Sequence, residues 1–214
     1  MQKNDHSKTR SKMPRTKSQT RENLLDSALK TFWKTGFHVV SMGDLVRETG
    51  VSRAGIYSDF GGKEDLFHAC LDRYQDTVVT PAFAPVEAEG AGIEGIQKYF
   101  DNLLARFEDS GGFGKGCLVG NTLPQIPEDA QETRQKLRAH SDRLTAGFRK
   151  VLAHENGDHG SLSDAEIEAL ARYIMISVQG IWSYSRLTGD VAELRAASDM
   201  LIAVLKARLR GTSD

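Results

Sequence analysis

Apolar residues recur every three or four positions over most of the chain. From Thr20 onward Leu24, Leu25, Ala28, Leu29, Phe32 and Trp33 fall on one face at helical spacing, and Gly36 stands where a C-cap glycine ends a helix. Ser41-Met42-Gly43-Asp44 follows, an N-cap serine with a carboxylate three residues on. The helix that it opens runs through Leu45 and Val46 and stops at Gly50. Ser52 opens a third short helix over 52–58, and Gly61-Gly62 breaks the chain again. A fourth helix is predicted over 63–80, with Leu66, Phe67, Cys70, Leu71 and Tyr74 on one stripe.

Pro81, Pro85 and the run 87–95 predict a domain boundary. Helical spacing resumes at Ile96, Tyr99, Phe100, Leu103, Leu104 and Phe107. A glycine-rich loop over 111–116 precedes a short apolar stretch, 117–123. Pro127-Glu128-Asp129 reads as a helix start, with proline early and acids in the first turn, and predicts a helix over 127–154. Ser163-Asp164-Ala165-Glu166 is a capping box opening a helix over 163–188 that carries Ile167, Leu170, Ala171, Ile174, Val178, Ile181 and Trp182. The last helix, 191–210, places Leu194, Ala197, Leu201, Val204 and Leu205 inward. No stretch alternates as a strand does and no segment repeats. The predicted fold class is all-α, with about nine helices.

Composition adds bounds. The chain has 214 residues, 39% hydrophobic and 27% charged, the balance of an ordinary soluble protein. No apolar run approaches the ~18 residues of a membrane span, and the polar N-terminus has no apolar leader core. Two cysteines, Cys70 and Cys117, form neither a disulfide framework nor a zinc pattern, so a reducing cytoplasm is the expected compartment. The net charge of −1 hides an asymmetry. Residues 1–21 carry Lys3, Lys8, Arg10, Lys12, Arg15, Lys17 and Arg21 against the single acid Asp5. A basic arm on an acidic body suggests a polyanion met by one end of the molecule.

Two helices of about two turns joined by Gly50-Val51-Ser52 make a helix-turn-helix. Such a motif works because its second helix fits the major groove while the first braces it across the phosphates. Ile56 is expected to face inward, leaving Arg53, Ala54, Gly55 and Ser58 outward. Arginine pairs bidentately with guanine, and small residues allow close approach. Ser41, Tyr57 and Lys63 stand where they would hold phosphates, and Ser52, at the head of the reading helix, is a further DNA-binding candidate; Ser41 and Lys63 lie at helix starts, which favour anions. Double-stranded DNA is the expected partner.

The stretch 41–66, Ser-Met-Gly-Asp-Leu-Val-Arg-Glu-Thr-Gly-Val-Ser-Arg-Ala-Gly-Ile-Tyr-Ser-Asp-Phe-Gly-Gly-Lys-Glu-Asp-Leu, resembles the TetR family of bacterial one-component regulators. Its Gly-Val-Ser turn followed by Tyr57-x-x-Phe60-x-x-Lys63-x-x-Leu66 is intact. Asp59 departs from the pattern, since the family usually carries an uncharged residue there; a carboxylate would be repelled by DNA unless turned away or paired, for instance with Lys63. Composition makes 1–17 a basic flexible arm, and the resemblance implies a DNA-binding domain (18–78) and an effector-binding and dimerisation domain (79–214). It also implies a homodimer built on the last two helices, where charge at Leu201 or Val204 is expected to break the pairing. A small-molecule effector would release DNA, so the implied function is a repressor on a palindromic operator. The alternative is an architectural DNA-binding protein without an effector.

No catalytic constellation is present, and neither a metal nor a cofactor is expected: His154, Glu155, Asp158 and His159 fall in a glycine-containing connection, and 111–116 matches no phosphate-binding loop. Trp182 reads as packing. Gly116-Cys117-Leu118 resembles a segment of the TetR subgroup that includes the electrophile-sensing repressor of N-ethylmaleimide reductase. That resemblance makes Cys117 a candidate for effector or redox sensing, with Lys115 nearby and Cys70 as an inert counterpart.

Overall fold

The computed structural model describes residues 17–109, 114–157 and 160–210. Among them every regular element is helical. α1 (Lys17–Thr35) begins three residues ahead of the apolar periodicity and buries Leu24, Ala28 and Phe32. The rest of the predicted basic arm lies outside the described residues. α2 (Met42–Thr49) is capped reciprocally: Ser41 Oγ accepts from the Asp44 backbone N–H at 3.1 Å, and the Asp44 carboxylate accepts from the Ser41 N–H at 2.9 Å. Gly50, at φ +70°, turns the chain in the left-handed region that a side chain would disfavour. α3 (Arg53–Phe60) follows with Ser52 as its cap, then α4 (Lys63–Tyr74). Leu45 and Ile56 are fully buried, which fixes α2 and α3 on α1 and α4. Phe32, Phe37 and Phe67 form the ring cluster at the centre, with centroids 4.7–6.0 Å apart.

The break expected after 80 does not occur. α4 continues through a π-helical turn (Gln75–Val79) into α5 (Thr80–Glu87). Pro81 sits in the first turn of α5, where its missing N–H costs little. Ala82, Phe83 and Val86 are buried, so tertiary packing holds α5 in spite of Pro85 within it.

The body consists of α6 (Ile93–Asp109), the short α7 (Leu118–Thr122) with a 3-10 turn (Leu123–Gln125), α8 (Gln131–Asn156), α9 (Asp164–Tyr184) and α10 (Val191–Leu209). α8 starts later than Pro127 suggests, because 127–130 closes as a turn with Ala130 N–H on Pro127 O. Gly147 lets α8 approach α5: a Cβ there would lie 2.6 Å from the Phe83 ring. One apolar core runs from Leu24 in α1 to Leu205 in α10.

The last two helices have two apolar faces each. Ile167, Ala171, Ile174 and Val178 of α9, with Leu194, Ile202 and Leu205 of α10, face the protomer core. Leu201 belongs to that core at 3% exposure, so it cannot be a residue that a partner meets, and Val204 is half-buried. Ala197, expected inside, is exposed. The outward stripes are Ala169, Tyr173, Ile176 and Gly180 on α9, with Leu187 in the turn after it, and Ala196, Met200, Ala203 and Ala207 on α10, all exposed.

Candidate DNA-reading surface and internal cavity

At 100° per residue, Ala54 and Ser58 lie opposite Ile56, Tyr57 lies about a quarter turn from it, and Arg53 stands at the head of α3 on the flank beside Ile56. Arg53, Ala54, Tyr57 and Ser58 are all exposed, and Ser52 is exposed ahead of the helix. Gly55 is half-buried, and a Cβ there would meet Val51 Cγ1 at 2.8 Å; its smallness serves the tight turn as well as the outer surface. The Ser41 hydroxyl donates to Asp44 Oδ2 at 2.6 Å, so its proton is committed to the cap. Those hydrogen bonds to Ser41, with Arg47 alongside, hold the Asp44 carboxyl down at about 2. Lys63 opens α4 half-buried, with Nζ 4.5 Å over the Phe37 ring, and burial lowers its ammonium from the ordinary value. Asp59 makes no ion pair among the described residues, and Lys63 is turned to Phe37 instead. Arg21, at the end of the basic run, lies 4.4 Å over Phe60.

The surface is tied to the body at two places. α4 meets α8 through His68 with Thr133 at 2.8 Å and Lys136 with Asp72 at 2.8 Å. α1 and the segment after it meet the α7 region: Trp33 Nε1 donates to Gly116 O at 2.9 Å, and His38 Nε2 to Gln125 O at 2.7 Å.

Behind the first of these α1 contacts is a cavity of about 370 Å³, within the size range of small-molecule sites. Its walls come from α1 (Trp33), α4 (Tyr74), α6 (Tyr99, Arg106), α8 (His140) and α9 (Gln179, Trp182). The π turn contributes Thr77, Val78 and Val79. Trp182 therefore faces a cavity rather than serving as packing alone, whereas Tyr184 is exposed on the outside. Among the described residues no hydrogen bond of strict geometry closes on His140 Nε2, the Gln179 amide or Trp182 Nε1, all buried, although Trp182 stands beside Tyr99 and Gln179 beside the Cys117 thiol. His140 Nδ1 is held by Gln75, and burial pushes its imidazole down to about 4, so the ring is neutral at physiological pH. A hollow of about 440 Å³ between α4 and α8 is larger, but bases on its walls are engaged: Lys136 with Asp72, Arg143 with Glu87.

Cys117 caps α7 and lines this cavity, only 6% exposed. Burial pushes its thiol up from the ordinary value, against hydrogen bonding from the Gly120 backbone and Tyr74. Lys115 holds its ammonium 5.3 Å over the Trp33 ring. Cys70 is fully buried, and desolvation raises it strongly. Of the four residues weighed as a metal group, Glu155 accepts from the Ile93 backbone N–H at 2.7 Å, and Asp158 and His159 lie outside the described residues. Sequence reading missed Trp33, Tyr74, Tyr99, Arg106, His140 and Gln179 as cavity residues. Each sits on a helical stripe, and nothing in a stripe separates a wall from a core.

A helix-turn-helix with an exposed second helix, ahead of an all-helical body, defines a DNA-binding transcriptional regulator. Residues 24–70 match the family described as bacterial regulatory proteins, tetR family, and residues 92–201 match the tetracyclin repressor-like C-terminal domain. The chain belongs to the TetR family, whose members are transcriptional regulators and not enzymes. It is 27% identical over 185 residues to the uncharacterized HTH-type transcriptional regulator YezE of Bacillus subtilis, covering 85% of this chain and 94% of that protein. It is 26% identical to the HTH-type transcriptional repressor ComR of Escherichia coli, over 75% of this chain and 77% of ComR. A TetR-family regulator from Streptomyces coelicolor has the same fold, with a TM-score of 0.74, 24% identity and coverage of 93% and 92%. So does the TetR-family regulator CifR, a cysteine mutant complexed with 26-bp double-strand operator DNA, with a TM-score of 0.70, 22% identity and coverage of 94% and 99%. No helix among the described residues is long and apolar enough to cross a membrane.

Proposed function

We propose that this regulator is a homodimeric repressor that holds a near-palindromic operator and releases it when a small molecule enters the cavity. The observation that carries this reading is the shared wall: Trp33, on the first helix of the DNA-reading unit, lines the cavity and is hydrogen-bonded to Gly116 on its far side. A molecule lodged there meets the element on which α2 and α3 are seated. The outward stripes on α9 and α10 support the dimer, because exposed apolar residues at helical spacing on adjacent helices suit a symmetric interface. The repressor named among the relatives, ComR, supports the sign of regulation. In this reading Arg53 reads a base, Ala54, Gly55 and Ser58 allow close approach, and Ser52, Tyr57 and Lys63 meet phosphates, while Ser41, its donors spent on Asp44, sets the start of α2. The cell compartment is the cytoplasm, where the DNA is.

A footprint on the DNA upstream of its own gene tests the proposal. One or two protected palindromes are expected, with half-sites one DNA turn, ~34–36 Å, or a multiple apart. Uniform coating of DNA of any sequence would favour the architectural alternative.

A further inference from the structure

Building on the reading of the cavity as an effector site, we infer that it takes an organic anion: a molecule of one or two rings bearing a carboxylate or phenolate. The walls supply aromatic faces from several directions, Trp33, Tyr74, Tyr99 and Trp182. Flat rings stack on such walls at little conformational cost. The charge of the lining is one-sided. Arg106 and Lys115 stand on it, and no aspartate or glutamate does.

Among the described residues Arg106 donates to Val78 O, at 3.3 Å, Lys115 lies over the Trp33 ring, and neither joins an ion pair. In the neighbouring hollow Lys136 and Arg143 are engaged by carboxylates. His140 is neutral and adds no charge. Its Nε2 is buried with no hydrogen bond among the described residues, and the Trp182 indole N–H and Gln179 amide have only the loosely aligned Tyr99 and Cys117 beside them. Buried groups of that kind take a partner when a ligand supplies one. The cavity therefore accepts polar atoms inside and a negative charge at Arg106 and Lys115, where charge-assisted hydrogen bonds form; it repels a cation.

Both tryptophans of the chain line the cavity, so two indole N–H resonances of the nitrogen-labelled full-length protein report its occupancy. Three probes share one naphthalene ring: the carboxylate, the neutral methanol and the methylammonium. The carboxylate is expected to bind about tenfold or more tighter than the methanol, with the ammonium weakest. Arg106→Gln and Lys115→Gln replace exposed side chains and keep the fold; both should weaken the carboxylate and leave the methanol unchanged. Equal or tighter binding of the methanol or the ammonium overturns the assignment, as does an equal loss of all three probes in the variants. If no probe at millimolar concentration moves either indole, the cavity reading falls and the assignment with it. Anion preference without release of operator in a gel shift leaves the assignment standing and removes the effector role.

Discussion

Ile176→Glu should separate the proposed dimer without unfolding the protomer. Ile176 is 71% exposed on α9 and stands outside the protomer's apolar core. Burying an isoleucine side chain fully is worth about 1.5–3 kcal/mol, so covering the exposed part gives about 1–2 kcal/mol per copy. A two-fold interface uses the residue twice, which makes the loss about 2–4 kcal/mol per dimer. That corresponds to roughly 30- to 700-fold in the dimer dissociation constant, before the cost of burying a carboxylate is added. Sedimentation at several concentrations, far-ultraviolet circular dichroism and operator gel shifts read the three quantities separately. A helical monomer with lost operator affinity is expected. Leu201→Glu is the contrast: at 3% exposure it places a charge in the protomer core and should lose helical signal as well. A variant at Ile176 that sediments as the wild-type dimer at micromolar concentration would refute the assignment of this face.

Arg53→Ala should lower operator affinity by about 1–3 kcal/mol and relax base preference, whereas Lys63→Ala should weaken all sequences alike and flatten the salt slope by about one contact. Competition with random DNA across a salt series distinguishes the two, and an equal loss on both DNAs for Arg53→Ala would remove its base-reading role. Deleting residues 1–16, which carry five of the lysines and arginines of the basic run, should reduce affinity and salt dependence while the melting temperature stays put. Unchanged low-salt affinity would make the arm a bystander. Because burial raises the Cys117 thiol, its alkylation should be slow at pH 7 and accelerate as the pH rises. Operator release by mild electrophiles should be absent in Cys117→Ser, and release that persists in that variant would exclude the thiol as the sensor.

The DNA-reading half was legible because its determinants are local. A serine cap with a carboxylate three residues on, a glycine at positive φ and a buried Ile56 opposite Ala54 and Ser58 are all set by neighbours in sequence. Position 80 misled for the opposite reason. Pro81 and Pro85 are local signals of a break, yet Ala82, Phe83 and Val86 pack into the core and carry the helix through. The outward stripe on α10 was missed for a related reason. Leu201 and Met200 are adjacent apolar residues on an ambiguous helix, and only packing against α6 and α9 decides which faces in. The cavity could not be read at all, since its walls combine α1, α4, α6, α8 and α9. The position of Cys117 at a helix start was readable, but not the burial that raises its pKa.

The geometry of α1 also constrains how the two halves communicate. Trp33 lines the cavity, and Phe32, one residue before it, is fully buried in the ring cluster with Phe37 and Phe67. Adjacent residues of a helix move as one body, because the backbone hydrogen bonds between turns resist local shear. A displacement of the indole away from Gly116 O therefore carries Phe32 with it. A close-packed ring cluster does not deform continuously; it holds its arrangement or exchanges it for another. The second link, His38 to Gln125 O, joins the segment just after α1 to the turn just after α7. α7 is thus hydrogen-bonded to the α1 region on both sides, with Cys117 at its head on the cavity wall. A ligand that favours one packing of α7 against α1 over another biases the orientation of α3 by that difference in affinity and no more. Tight binding that leaves Trp33 and α7 where they are would leave operator affinity unchanged.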